Sequence, residues 1–475
     1  MLAQQYLDRI ETHNNVWCGG ERVTSPSSHP ALKDLVSFVG NYYQIIDEKP
    51  DVFGTQTDAG LAARSLAIPR SQECLSSKRV AYKKVADLSH GMLGRTPDFM
   101  NAAMVALSTN ADKLGADKYA NYASNAKVLY RECCTENFFM SHAAINPQID
   151  RSKSLGALNN TYAGVKITQT RSDGILVSGA KMIVTLGPVA DQMAVFNMPG
   201  LREGDEDFAV AFIIPSNTKG VRFLCRNTTL RPEQSAFDRP LANAFDEMDA
   251  LVVLEDVFVP WDRILIYRDV AKSNAFFDGM RLRHHTGHQG IVRGLAKMEF
   301  VGGVAIKAAD MLGLNSFLPI QQKLGELTSY VELTRAIIHN TEATATQDTK
   351  GVLHPNSGPI QALRLQFPKW YSTAVETIQS LCAGSMMSVP NQADFFNENA
   401  QSLERIFGKD GMSAKERFAL LNLAWDLTGT DFGQRQLAYE CFHSGDPMRI
   451  AAGHLHSFDK TTMMSSVDRA LEAAL

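Results

Sequence analysis

Arg95 sits in a segment built to hold a cation still: Gly91-Met92-Leu93-Gly94-Arg95-Thr96-Pro97-Asp98-Phe99-Met100-Asn101. Thr96, Pro97 and Asp98 read as the cap and first two residues of a helix. The cap oxygen takes an orphan amide, proline presets φ, and the aspartate meets the positive end of the helix dipole. Glycines at 91 and 94 allow a close approach just before it. This predicts a guanidinium at the mouth of a rigid helix start, with Phe99 on the first turn. A fixed cation beside an aromatic ring suits an anionic, planar ligand.

Three further places could join it. In Ser141-His142-Ala143-Ala144-Ile145-Asn146-Pro147-Gln148-Ile149-Asp150-Arg151, Asn146-Pro147 makes a turn. The small residues beside it let backbone groups reach the edge of a flat ligand. Thr185 ends the apolar run from Met182, where its hydroxyl could bond a ring atom. In Ser444-Gly445-Asp446-Pro447 the helix-start logic recurs, with Asp446 as cap and Pro447 at the first position. Its free amides would suit phosphate or carbonyl oxygens. Taken singly, a lone histidine, a strand threonine and a capped helix are all more often structural. His284 and His288 have helical spacing for a metal, but Gly287 intrudes and no acidic or thiol third ligand stands near. A solvated or cofactor-flanking role is the better reading, with no metal expected.

The elements that must position these residues change character twice. Residues 31–137 read mainly as helix. From Phe138 to Tyr267 the chain carries short alternating or continuous apolar runs between turns, the spacing of a barrel or small sandwich. After Tyr267 the three-to-four period returns, with Ile320, Leu324, Leu327, Val331 and Ile338 on one face, and long helices of this kind pack as a bundle. The predicted organisation is α+β: a helical domain over 1–137, a middle β-barrel domain over 138–267 and a helical bundle over 268–475.

Composition narrows the chemistry. The 475 residues carry a formal net charge of −4 and no basic tract, so nucleic acid is a poor partner. No apolar run reaches membrane-spanning length and no secretory signal is visible, so a cytoplasmic setting is expected. The seven cysteines are scattered without a CxxC pair, which suggests inert thiols rather than a zinc ribbon or disulfide framework. There is no GxGxxG and no Walker loop, hence no nicotinamide or ATP domain.

The segment around Arg95 resembles the GRTPDY-type signature of the oxygenase components of two-component flavin monooxygenases, the 4-hydroxyphenylacetate 3-monooxygenase family. Phe99 departs from it, standing where the family usually has tyrosine. The resemblance runs nearly end to end, from Gly20-Glu21-Arg22-Val23 through Ile264–Asp269 to Trp425-Asp426 and Arg435. It implies an acyl-CoA dehydrogenase-like fold and a homotetramer. It also implies an FADH2-dependent monooxygenase, in which FADH2 from a separate reductase reacts with O2 through a C4a-hydroperoxyflavin and an aromatic, phenolic substrate is hydroxylated in the ortho position. Carried over residue by residue, it makes Arg95 and His142 catalytic and Arg95, Thr96, Phe99, His142, Asn197 and Met198 the substrate contacts. It makes His142, Ala143, Ala144, Ile145, Gln148, Ile149, Asp150, Arg151, Thr185, Ser444, Gly445, Asp446 and Pro447 the FAD contacts.

The competing reading is a flavin-dependent dehydrogenase, isomerase or dehydratase of an acyl-CoA thioester, with Glu299 or Glu332 as base; a third is a non-catalytic flavin-binding paralogue. An iron–sulfur dehydratase of this fold needs cysteine ligands near Arg95 and in the bundle. None stands between Cys74 and Cys133 or between Cys225 and Cys382.

Overall fold

The computed structural model describes every residue except Arg151, Asn159, Asp410 and Leu475. Its order is helical, then β, then helical again. The longer helices of the first part are α1 (Leu2–Ile10), α2 (Lys33–Glu48), α3 (Gln72–Asp87), α4 (Pro97–Thr109) and α5 (Tyr122–Glu136). Segment 1–137 is not purely helical. Two short strands, β1 (Val16–Cys18) and β2 (Glu21–Arg22), join the sheet of the middle part.

That middle part holds β3 (Met140–Ala143), β4 (Lys166–Thr170), β5 (Gly174–Thr185), β6 (Gln192–Val195), β7 (Val210–Pro215), β8 (Val221–Cys225), β9 (Asp249–Pro260) and β10 (Ile264–Tyr267). They form a six-stranded sheet in the order β2-β1-β8-β9-β5-β4 and a four-stranded sheet in the order β10-β7-β6-β3. A bridge from Ile145 to Met182 ties the two at one corner. Alternation explains the burial. In β9, Ala250, Val252, Leu254, Val257 and Val259 point into a core that β6 and β7 share, as expected where inward residues of both sheets interdigitate.

The last part is built on α6 (Val270–Gly279), α7 (Leu282–Met311), α8 (Leu318–Ala343), α9 (Ser357–Cys382), α10 (Ala414–Thr428) and α11 (Asp431–Phe442). α7, α8 and α9 pack on one another around a second apolar core, with Tyr330 and Trp370 stacked at 4.9 Å. α7 also packs against α3 and α4, which brings the Arg95 segment to the bundle. Gly91 makes that approach feasible. Its φ is +72°, and a Cβ there would lie 2.7 Å from the backbone nitrogen of Lys297. The chain ends in α12 (Pro447–Ser457) and α13 (Thr461–Glu472), neither of which buries a residue.

Candidate active site

A cavity of about 810 Å³ opens where the three parts meet, within the size range of cofactor and small-molecule sites. α4, the ends of β3, β5 and β6, and helices α7, α9 and α11 supply its wall.

Arg95 is held from all sides. Its Nη1 donates to Tyr439 Oη at 2.8 Å and its Nη2 to the carbonyl of His443 at 3.1 Å. The guanidinium carbon lies 4.2 Å from the Phe99 ring centroid and 5.7 Å from that of Tyr439. Beneath it the buried Glu247 accepts the amides of Gly94 and Arg95 at 2.6 and 2.8 Å. Gly94 is needed for this packing, because a Cβ there would fall 1.7 Å from Tyr439 Oη. The helix start differs in one respect from expectation. The Thr96 hydroxyl makes no cap bond; it donates to the buried Asp98 carboxylate, whose pKa burial pushes up to about 6. Thr96 is 2% exposed and outside the cavity wall.

His142 faces the same space. β3 alternates, so Ser141 turns inward to donate to the carbonyl of Thr185 at 2.7 Å. The His142 ring lies on the other side between Phe99 and Phe196, at centroid distances of 5.7 and 6.2 Å. Burial, and then the Arg95 charge, push its pKa down to about 3. The near-neutral titration natural to a histidine is therefore absent, and the imidazole stays uncharged across the physiological range. His142 is expected to show no NMR titration between about pH 5 and pH 8 in the ligand-free protein. His443 and His13 are shifted the same way, to about 3 and about 4. The unfolded chain binds these protons first, so stability should fall as pH drops below the ordinary histidine value of 6.5. The melting temperature measured across that interval checks it, and His142→Gln should flatten the decline.

A β-bulge shapes the opposite wall. β5 pairs with β9 at Val184–Ala250 and again at Lys181–Val252, so Met182 and Ile183 together face the single Leu251. Ile183 has φ +57°, rare for a β-branched side chain, and both residues line the cavity. Past the bulge, Thr185 donates to Asp249 Oδ1 at 2.7 Å, and Asp249 Oδ2 accepts from Arg435 at 2.6 Å. Burial would raise the Asp249 pKa, but Arg435, the Thr185 hydroxyl and Arg226 together outweigh it and lower it.

At the third corner Asp446 caps α12 as expected, accepting the amides of Met448 and Arg449 at 2.8 and 3.1 Å. Its own carboxylate thus occupies those amides. Arg364 donates to the carbonyl of Ser444 and has no carboxylate partner among the described residues. Burial, and then the charge of Arg283, lower its pKa to about 10, so an anion beside Ser444 would be welcome.

Of the residues expected at the site, the structure gathers Arg95, Phe99, His142, Ala144, Ile145, Gln148, Thr185, Met198, Ser444, Gly445 and Asp446 on the lining of one cavity. Ala143, Ile149, Asp150 and Pro447 are not on it; Ile149 is exposed, and Asp150 accepts from the Ser152 amide and hydroxyl. Arg151 lies outside the described residues. Asn197 is buried beneath the wall, accepting from Lys181 Nζ at 2.7 Å and donating to the carbonyl of Phe208. The Lys181 ammonium, itself buried, also reaches Asn146 Oδ1 and the carbonyl of Phe196, tying together the segments after β3 and β6. His284 and His288 diverge, one bonding the carbonyl of Pro355 and the other Glu342. Tyr439, Glu440, Arg293 and Arg364 line the cavity and were not singled out from sequence. The i,i+4 spacing of Arg435 and Tyr439 was the one available signal.

The wall fits a flat, carbonyl-rich, anionic cofactor. Its broad faces are apolar (Ile145, Met182, Ile183, Phe196), and among the described residues His142 Nδ1 and Arg435 Nη1 are buried without partners. Helical, sheet and bundle parts around such a crevice define a flavoprotein of the acyl-CoA dehydrogenase-like fold. The 4-hydroxyphenylacetate 3-hydroxylase N-terminal family matches residues 3–266 and its C-terminal family residues 273–472. The 4-hydroxyphenylacetate 3-monooxygenase oxygenase component of Thermus thermophilus is 32% identical over 449 residues, 94% of this chain and 92% of that protein. A solved oxygenase component of 4-hydroxyphenylacetate 3-monooxygenase, complexed with FAD and 4-hydroxyphenylacetate, superposes with a TM-score of 0.94 at 31% identity, covering 99% of this chain and 98% of that one. The 4-hydroxybutyryl-CoA dehydratase of N. maritimus shares the fold, with a TM-score of 0.88 at 20% identity over 100% of this chain and 95% of that one. The chain belongs to the 4-hydroxyphenylacetate 3-hydroxylase family and is a flavin-dependent monooxygenase that uses FAD.

Proposed function

We propose that this chain is the oxygenase component of a two-component system, taking FADH2 from a separate reductase and hydroxylating a phenol ortho to its hydroxyl. The observation that carries the reading is Arg95, clamped between Phe99 and Tyr439 and facing an uncharged His142 across the cavity that Thr185 and residues 444–446 also line. Bound as FADH2, the flavin supplies the electrons and activates O2. Thr185, His142 and Arg435 would meet its ring edge, and Arg364 with Ser444 its anionic part.

The chain's own residues prepare the substrate. Arg95, always protonated, stabilises a phenolate oxygen, which makes the ortho carbon more nucleophilic. His142 Nδ1, buried without a partner, accepts a hydrogen bond from the phenolic hydroxyl while the imidazole stays neutral. The apolar faces exclude water, which would divert activated oxygen to hydrogen peroxide.

The acyl-CoA reading lacks its base. Glu299 pairs with Lys83 and Arg335, and Glu332 with Arg335, both away from the cavity. Of the carboxylates that do line it, Asp249 and Glu440 are held as poor bases by arginines, and Asp446 is taken up by the helix amides it caps. No cysteine lines the wall among the described residues. The test is anaerobic loading with FADH2, then O2 and a panel of phenols. Catechol formation supports the proposal; hydrogen peroxide accounting for all oxygen consumed, with every phenol, overturns it.

Phe99 removes a hydroxyl from the substrate wall, and Tyr439 presents one on the other side of Arg95. A hydrogen bond to a charged site is worth about 1.5–3 kcal/mol. Tyr439→Phe is therefore expected to lower kcat/KM for the phenol by roughly tenfold or more. Phe99→Tyr alone should change it by less than about threefold, because the contact is already made. The opposite ranking in steady-state kinetics would assign the contact to position 99.

Among the described residues no helix is long and apolar enough to cross a membrane. The proposed setting is cytoplasmic, beside the reductase. The proposed assembly is a homotetramer: α12 and α13 leave Met448, Leu455, Met463, Met464, Val467 and Leu471 exposed, an apolar surface that a second copy would cover. Sizing tests it.

A further inference from the structure

Two of the scattered cysteines are neighbours. β1 runs parallel to β8, with Val16 opposite Phe223 and Trp17 opposite Leu224. One step further both strands end, and Cys18 stands beside Cys225. The Cys225 thiol hydrogen-bonds the Cys18 sulfur, and both side chains are only partly buried. Neighbouring strands lie about 4.7–4.9 Å apart, inside the Cα separation of roughly 4.4–6.8 Å that a disulfide spans. Cys18 is followed by the exposed turn Gly19-Gly20, with φ +62° and +86°, so its backbone can yield toward a partner.

The other five thiols lack this arrangement. Cys133, Cys134 and Cys382 are buried, and burial raises their pKa values. Cys74 and Cys441 have no cysteine beside them. The Cys18 thiol is lowered to about 7, first by the Cys225 hydrogen bond, with Arg226 assisting against burial and Asp246. A thiolate at neutral pH is the form of cysteine that attacks a peroxide fastest.

We propose that Cys18 and Cys225 form a site of oxidative modification, a dithiol that a hydroperoxide converts to a disulfide. The Cys18 thiolate attacks one oxygen of hydrogen peroxide. The O–O bond breaks, a water leaves with one proton, and Cys18 becomes a sulfenic acid. The Cys225 sulfur then attacks the Cys18 sulfur, forming the S–S bond and releasing the hydroxyl as a second water. Overall the two thiols lose two electrons and two protons, and the peroxide is reduced to two waters. The bond would tie the β1–β2 hairpin to the strand that leads into Arg226. That guanidinium holds Asp246 at 2.5 Å and, more loosely, the Asp249 that positions Thr185.

The test uses the reduced full-length protein treated with stoichiometric hydrogen peroxide. Two of the seven thiols should disappear and return with dithiothreitol. Peptide mass mapping without reductant should show one linked pair containing Cys18 and Cys225. In Cys225→Ser, Cys18 should be trapped as sulfenic acid by dimedone; in Cys18→Ser, Cys225 should remain a thiol. The proposal is overturned if wild-type Cys18 passes to sulfinic acid without a linked peptide. It is equally overturned if both thiols survive while Cys74 or Cys441 is consumed.

Discussion

Arg95→Lys is expected to lower kcat/KM for phenol hydroxylation by about a hundredfold while FAD binding changes little. The substitution keeps the charge and removes the fork. Arginine reaches Tyr439 Oη and the carbonyl of His443 from two nitrogens while lying flat on Phe99; an ammonium is a point charge that can satisfy one of these directions. Losing one charge-assisted bond costs about 1.5–3 kcal/mol, and the cation no longer sits where the phenolate oxygen develops charge. The readout that separates this from a folding defect is coupling: oxygen uptake with FADH2 should persist while product falls and hydrogen peroxide rises. A variant that hydroxylates with unchanged coupling would remove Arg95 from the proposed role. Circular dichroism and melting temperature should stay near wild type, because the fold below Arg95 is fixed by its backbone amide on Glu247, which the substitution leaves in place.

What could be read from the sequence follows the range of the interactions involved. The helix start at Thr96–Asp98 and the cap at Asp446 are local, coded within four residues, and both helices begin where that chemistry places them. The Thr96 hydroxyl is the exception for a tertiary reason: Asp98 is buried against α7 and takes the hydroxyl that a surface helix would give to its own amide. Arg95 is legible as a fixed cation, but its partner Tyr439 lies 344 residues away, and no period or spacing announces that meeting. Asn197 shows the complementary error. It stands two residues past a strand whose end reaches the cavity, yet Lys181, a buried cation needing oxygen acceptors, claims its side chain. His142 is identified as a site residue by its segment, whereas its charge state depends on burial and on Arg95, both products of the fold. Cys18 and Cys225 are 207 positions apart in sequence and adjacent only through a parallel strand pair, the longest-range kind of pairing to foresee.

Glu440→Gln should be the most destabilising substitution at the cavity wall. Side-chain exposure is 4% for Arg293 and 0% for Glu440 and Lys297, and the carboxylate accepts from Arg293 and, at 2.7 Å, from Lys297. Burial alone would raise the Glu440 pKa, but the guanidinium of Arg293 and the ammonium of Lys297 outweigh it and hold it well below the usual carboxylate range. Burial already draws Lys297 down to about 8 even with this partner. Removing the negative charge leaves two cations in the interior, a change that typically costs about 3–5 kcal/mol. The sign of the pH dependence follows from the lowered carboxylate. Its contribution is present above the ordinary glutamate value of 4.5 and is lost as pH falls below it, because the unfolded chain takes the proton first. Wild type and Glu440→Gln should therefore differ most in melting temperature near neutrality and converge in acid. A difference independent of pH would mean that packing, not charge, holds α11 to α7. Replacing all three residues with apolar side chains of similar volume should restore most of the stability, since a buried ion cluster carries its own desolvation cost. It should not restore activity, because Tyr439 hangs from the same helix turn as Glu440 and its ring lies within 6 Å of both cations, at 5.6 Å from Arg293 and 5.8 Å from Lys297. The ion cluster at the base of the wall thus orients the hydroxyl that meets Arg95 at its mouth.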